Sequence, residues 1–447
     1  MKKLVIALGM LLTLHTATAQ TNAQLDQHIL TSKKVMDEFM GLRFGMFIHW
    51  GPIALRGTEI GWSRHREVPA ADYDTLYKVF NPTKFNAEEW VKVARDAGMK
   101  YLTITAKHHD GFCLWPSAYT DYDIMSTPYK KDVVGALAKA CRKYGIKFCI
   151  YYSVLDWHYP DYPVDNPYDT TGKGIRKDAQ MDKYVQYMKN QLKELITAYD
   201  PYMLWFDGPW EKPWTEAMAL DMYTYLKTIK KDVIINNRIG KKFSGVGMAS
   251  TADFLGDYDT PEQRIGGLDM NTPWESCITI ADQWAWKPHD KMKSLKTCIQ
   301  TLAKTAAGNG NLLFNIGPMP DGTMEPAQVA RVREMGSWLK KYGAAIYQTA
   351  GGPYVPTDNY ATTRKGNKIY LHVFQTSGQT LTVPAFPGVH IKKAYVLNGT
   401  TISFKQTAAD IALQLPAVLP DSNDTVIVLE IDKPAMSIAV IKKDNKG

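Results

Sequence analysis

From about residue 40 to 345, short apolar runs alternate with longer stretches in which apolar positions recur every three or four residues. The runs are "RFGMFIHWG", "MKYLTITAKHHDGF", "IKFCIYYS", "YMLWFDG", "DVIINNR" and "GNLLFNIG". Their richness in Ile, Val, Leu and aromatics, with Gly, Pro or Asn at the borders, predicts strands buried on both faces. The stretches between them predict helices. In "NAEEWVKVARDAG", Asn86 can cap the first turn and Glu89 can close a capping box. "KDVVGALAKACRKYG" places Val133, Val134, Leu137, Ala138 and Cys141 on one stripe and ends at Gly145. Such alternation implies parallel strands with crossover helices, so the expected fold is α/β, a (β/α)8-like barrel. After "GGPYVP" the helical period disappears, and "KIYLHVF", "TLTVPAF", "VHIKKAYVL", "DTVIVLEID" and "AMSIAVI" predict a C-terminal antiparallel β-sandwich. The expected organisation is a signal peptide over 1–19, the barrel over 20–350 and the sandwich over 351–447.

That first segment is set by "MKKLVIALGMLLTLHTATAQ": two lysines, an apolar stretch too short to span a bilayer, and Ala17-Thr18-Ala19 before Gln20. It predicts an exported protein, periplasmic or extracellular, and no later stretch is long enough for a membrane span. The formal charge is +8, of which Lys2 and Lys3 supply two, and the remaining basic residues are scattered without a dense stripe, which argues against a nucleic-acid partner. The five cysteines, Cys113, Cys141, Cys149, Cys277 and Cys298, have no CxxC spacing and cannot all pair. They read as small buried thiols, with room for one bridge.

"MLWFDGPW", residues 203–210, raises the chemical question: an apolar run leads straight into Asp207 and stops on Gly208 and Pro209. A carboxylate at the end of a buried strand is costly unless it is paired or put to use. The other runs end the same way: on His49 and Trp50; on Lys107, His108, His109 and Asp110; on Tyr152, Ser153, Asp156 and Trp157; on Asn236, Asn237 and Arg238. In a (β/α)8 barrel the active site lies at the carboxyl ends of the strands, so these residues converge. Each has a plainer reading. His49 alone suits a core histidine, Asp207 suits an anchor paired with Arg238, and Trp205, Trp210 and Trp214 suit packing. His108 and His109 invite a metal, but adjacent strand residues point to opposite faces and no HxH or HxxxH spacing accompanies them, so no metal is expected. Together, histidines, Asn, Arg, Trp faces and carboxylates suit a neutral, hydroxyl-rich ligand. They supply what a retaining glycosidase needs, two carboxyl groups about 5 Å apart, one ionised and one protonated. Asp207 is the first; Glu262 and Glu275 are both candidates for the second, ahead of Asp257 and Asp259, and both are read as loop residues whose reach spacing does not fix.

"RFGMFIHWG", "AKHHDGFCLWPS", "YYSVLDWH", "LWFDG", "TPEQ", "WESCITI" and "GNGNLLFNIGPMPDG" together resemble glycoside hydrolase family 29, the retaining α-L-fucosidases, from about residue 40 to 345. The resemblance implies an exo-acting hydrolase of fucosylated glycans with no cofactor. It puts the nucleophile on Asp207, sugar-binding histidines on His49, His108 and His109, an arginine on Arg238 and an aromatic against the sugar's methyl group on Trp284. The "TPE" context puts the acid/base on Glu262, with Glu275 as the alternative, and Tyr152 and Trp157 complete the expected sugar contacts. Where many members carry "EWY", this chain reads "TEIGWSRHREVP", making Glu59 and Trp62 the corresponding contacts. The rival readings are a catalytically silent glycan-binding protein on the same barrel and a metal-dependent enzyme using His108 and His109. The chain does not disclose linkage preference or oligomeric state.

Overall fold

All six apolar runs form strands of one parallel sheet in the computed structural model, which describes residues 30–242 and 254–441; the expected signal peptide over 1–19 lies outside the described residues. The strands are β1 Phe44–Ile48, β2 Tyr101–Lys107, β3 Lys147–Ser153, β4 Met203–Asp207, β5 Ile234–Ile235, β6 Glu275–Thr279 and β7 Asn311–Ile316, in the order β5-β4-β3-β2-β1-β7-β6. The gap between β5 and β6 is filled by an irregular segment over residues 257–263. It bridges Asn236 through Tyr258 on one side, and Trp274 and Cys277 through Asp259 and Glu262 on the other. This segment acts as the sixth of eight staves and carries Glu262.

β6 was not expected. Its "ESCIT" opens on two polar residues and lacks the apolar density of the other strands. Glu275 therefore lies on a buried strand and not in a loop.

Crossover helices follow the period read from the chain, including Ala87–Asp96, Val133–Tyr144 and Met181–Tyr199. Asn86 caps the first, its side chain accepting from the backbone N–H of Glu88 and Glu89, while Glu89 pairs with Lys92 at 2.7 Å instead of closing the capping box. The stripe from Val133 to Cys141 is buried, and Gly145 ends its helix at φ 68°.

Two cores result from the strict alternation of each strand. On β4, Leu204 and Phe206 join the outer core beneath the helices, whereas Met203 and Trp205 point into the barrel beside Phe47, Tyr101, Tyr151 and Leu313. A strand buried on both faces thus serves two different layers. The five cysteines are all buried and unpaired.

Beyond the barrel, β8 Ala350–Gly351, β9 Tyr360–Lys365, β10 Lys368–Val373, β12 Ile391–Val396 and β15 Thr425–Ile431 form a sheet in the order β12-β15-β10-β9-β8, antiparallel throughout. β11 Thr380–Pro384, β14 Asp410–Gln414 and β13 Phe404–Gln406 form a second antiparallel sheet. Ile427 and Leu429 face the sandwich core, and Val426 and Val428 of the same strand pack into the barrel's outer core. "AMSIAVI" does not form a strand: Pro434 leads into a single 3₁₀ turn over Ala435–Ser437.

Candidate active site

The parity of β4 that sends Trp205 into the barrel also sends Asp207 there, one step nearer the mouth. β3 runs beside it in register, with Tyr151 opposite Trp205 and Ser153 opposite Asp207. Gly208 then turns at φ 96°, so close to the next loop that a Cβ there would lie 2.5 Å from Leu155. No other residue fits that turn. The result is a cavity floored by Phe47, Tyr151, Trp205 and Cys277, with His49, His108, Asp207, Arg238 and Glu262 around it and Trp62, Trp210 and Trp284 as walls.

Arg238 joins the two carboxylates at the opening. Its Nη1 donates to Asp207 Oδ1 at 2.9 Å, and its Nη2 lies 2.9 Å from Glu262 Oε2. Asp207 Oδ2 accepts from Tyr151 Oη at 3.0 Å. The Asp207 side chain is 12% exposed and that of Glu262 32%, so both carboxylates reach the cavity without being sealed in. Burial alone would lower the pKa of Arg238, but the charges of Asp207 and Glu262 outweigh it and raise the value. The guanidinium is also held from behind by Thr260 Oγ1 at 2.9 Å and lies over the Trp205 ring.

Glu275, the alternative second carboxylate, is elsewhere. It is fully buried beneath the cavity, where Tyr101 Oη donates to Oε2 and Trp205 Nε1 donates to Oε1 at 3.0 Å. Burial pushes its pKa up to about 7. The inward parity of β6 places it one layer below the chemistry, out of reach of a ligand in the cavity.

The three histidines converge. His49 Nδ1 lies 2.7 Å from Asn315 Oδ1, and Asn315 Nδ2 donates to the Trp284 carbonyl at 2.7 Å. Since that carbonyl can only accept, the Asn315 oxygen must face His49, so Nδ1 carries the proton and Nε2 is an acceptor. By the same reasoning, Ser153 Oγ donates to the Leu155 carbonyl, so His109 Nδ1 donates to Ser153 at 2.7 Å. His109 Nε2 is left as a buried acceptor 3.7 Å from Asp207 Oδ2. Burial, helped by Lys107 and Arg238, lowers the His109 pKa to about 3, so this contact is between a neutral imidazole and a carboxylate and is not an ion pair. Burial likewise lowers His49 to about 3. Two acceptors facing one another are suited to a hydroxyl donor placed between them. His108 and His109 do not alternate as strand residues would. The register shifts between Thr105 and Lys107, β2 ends at Lys107, and the two rings lie 4.2 Å apart.

Three expected contacts, Tyr152, Trp157 and Glu59, are placed differently, and one residue read as packing reaches the cavity. Tyr152 points away from the cavity, its Oη donating to Gln191 at 2.7 Å, because it is out of phase with Asp207; Tyr151 takes the inward position. Trp157 is fully buried behind the wall, donating to Glu211 and packing edge-on against Trp62 at 5.3 Å. Glu59 does not line the cavity and is bound to backbone N–H groups. Trp210, read as a packing residue, is 40% exposed and roughly stacked on Trp62, which does line the cavity. Asn315 was missed, although the alternation Asn311, Leu313, Asn315 along "NLLFNI" marks it as inward.

A parallel barrel whose open end holds two carboxylates on one arginine, neutral imidazoles and indole walls defines the class of glycoside hydrolases. Comparison with known proteins gives the family. The α-L-fucosidase family model matches residues 10–344. An α-L-fucosidase of Branchiostoma floridae is 30% identical over 377 residues, covering 76% of this chain and 80% of its own. The plasma α-L-fucosidase of Homo sapiens is 28% identical over 382 residues, covering 78% and 79%. Among solved structures, α-L-fucosidase isoenzyme 1 of Paenibacillus thiaminolyticus superposes with a TM-score of 0.81 at 31% identity over 90% of this chain and 99% of that one. A glycoside hydrolase family 29 α-L-fucosidase of Bacteroides thetaiotaomicron, solved as a trapped covalent intermediate, gives 0.78 at 31% identity over 90% and 97%. The chain belongs to the α-L-fucosidase family, glycoside hydrolase family 29.

Proposed function

We propose that this protein is an exo-acting, retaining α-L-fucosidase in which Asp207 is the nucleophile and Glu262 the acid/base. The observation that carries the assignment is the sharing of Arg238 by these two carboxylates at the mouth of one aromatic cavity. Asp207 attacks the anomeric carbon while Glu262, protonated, gives its proton to the departing oxygen. Glu262 then takes a proton from water, which releases L-fucose with its configuration kept. Arg238 suits both halves. In the first it faces an ionised Asp207 and a neutral Glu262; in the glycosyl-enzyme Asp207 is a neutral ester and Glu262 carries the charge. One cation therefore balances one anion throughout.

His49, His108 and His109 would accept from ring hydroxyls, and Trp284, beside His49 and Phe47, would face the methyl group. Export to the periplasm or beyond rests on the opening sequence and belongs to the same reading.

Assay of aryl and oligosaccharide α-L-fucosides tests the function, and proton NMR of the first-formed sugar tests retention. Asp207→Ala abolishes turnover. Glu262→Ala keeps its first step on an aryl fucoside with a good leaving group and regains turnover with azide. If Glu275→Ala shows that rescue instead, the acid/base assignment is wrong. Loss of activity in chelator would favour a metal-dependent mechanism, and a folded protein that binds L-fucose without turnover would favour a silent binding protein.

A further inference from the structure

Glu59 is separated from the cavity wall by more than 220 residues of chain, yet its carboxylate is spent on that wall. Oε2 accepts from the Trp284 N–H at 2.9 Å, and Oε1 accepts from Ala285 N–H at 2.9 Å and from Ile60 N–H at 3.1 Å. Trp284 and Ala285 belong to the irregular segment after β6, where no strand or helix holds the backbone. The same short stretch is gripped from the other side. Asn315 Nδ2 donates to the Trp284 carbonyl, and Gly317 lies so close that a Cβ there would come within 2.5 Å of Trp286 N. Asn315 also holds His49 Nδ1 through its oxygen. The Trp284 and His49 rings lie 4.8 Å apart.

We infer that Glu59 is a positioning residue: with Asn315 it forms one relay, Glu59 to the Trp284 backbone to Asn315 to His49, that sets the Trp284 indole and the proton-accepting face of His49 for the sugar. The chemistry requires a carboxylate at position 59. Three N–H donors converge on it, and only an acceptor-only group with two oxygens satisfies them all. A glutamine there would turn an NH2 toward at least one backbone N–H and leave that donor unpaired. The indole plane would then be free to tilt, and Asn315 would lose the fixed carbonyl that orders its amide. The loss falls on ground-state and transition-state binding alike, because neither Glu59 nor Asn315 touches the reacting carboxylates. It therefore appears in affinity and not in turnover.

The inference rests on Trp284 and His49 belonging to the sugar site, and Trp284→Ala tests that separately. The experiment measures KM and kcat for an aryl α-L-fucoside, Ki for L-fucose and thermal stability in the full-length enzyme and in Trp284→Ala, Glu59→Gln, Asn315→Ala and the Glu59→Gln/Asn315→Ala double variant. Expected is a rise of at least tenfold in KM and Ki for Glu59→Gln with kcat within about threefold of the parent, and a double variant no worse than the poorer single one, since both break one relay. If Trp284→Ala leaves Ki unchanged, the sugar-site assignment falls and the relay with it. If Trp284→Ala raises Ki but Glu59→Gln does not, or Glu59→Gln lowers kcat at unchanged KM, or the two losses multiply, the relay alone is overturned. Should Glu59→Gln fail to fold, Asn315→Ala carries the same test: a rise in Ki at unchanged kcat supports the relay and its absence overturns it.

Discussion

Arg238 concentrates the site's electrostatics in one side chain, and its replacement gives the sharpest residue-scale test. Arg238→Met leaves the negative charge that passes between Asp207 and Glu262 without its counterion. The expected loss in kcat/KM is about a thousandfold, or about 4 kcal/mol, read from aryl-fucoside kinetics. Tyr151→Phe removes one donor from Asp207 and should cost about tenfold in kcat. Position 151 also shows what a linear reading could reach. That the third strand would put a tyrosine at the site was legible, but which of Tyr151 and Tyr152 turned inward depended on phase, and phase follows from pairing Ser153 with Asp207 across the sheet. Glu59 is a harder case. Nothing in "TEIGWSR" shows that its partners are the backbone N–H groups of residues 284 and 285.

At the scale of elements, the ends of β2 and β3 are tied together by Lys107, whose Nζ donates to Asp156 Oδ2 at 3.0 Å with both side chains almost fully buried and the Tyr152 ring against the ammonium. Lys107→Met leaves Asp156 buried without its cation, and should lower unfolding stability by about 3–5 kcal/mol in urea titrations. The loop of His108 and His109 follows directly, and His109 O accepts from Trp157 N across the same two elements, so activity should fall with it. By contrast Asn86→Ala, at a cap outside the cavity lining, should cost only about 1 kcal/mol and leave kinetics unchanged. Strands dense in Ile, Leu and Val were legible because burial on both faces demands that composition. β6 and the stave at 257–263 were not, because they are held by bridges to their neighbours more than by their own propensity.

For the molecule as a whole, buried ionisable groups set how stability follows pH. Glu275 is pushed up to about 7, chiefly by burial, from an ordinary 4.5. The folded state keeps a proton that the unfolded chain releases, so its contribution is complete below about 4.5 and is lost as pH rises from there to about 7. Glu275→Gln removes that group. The stability of the parent relative to this variant should therefore decline across that window, by about 3 kcal/mol at most, as melting temperatures at a series of pH values would show. His49 and His109 act in the opposite sense. Held near 3 by burial, they stay neutral in the fold while the unfolded chain protonates below 6.5, so stability is lost as pH falls from 6.5 toward 3.

The chain by itself determined the α/β alternation, the change to antiparallel strands near residue 350, and the set of polar residues gathered at strand ends, because burial period and turn chemistry are local properties. Only the tertiary structure decided that Glu262 and not Glu275 shares Arg238 with Asp207, that Tyr151 replaces Tyr152, and that Glu59 holds backbone. Each of those depends on distances between segments tens to hundreds of residues apart, and such distances are set by closing eight staves into one ring, not by any run of residues within it.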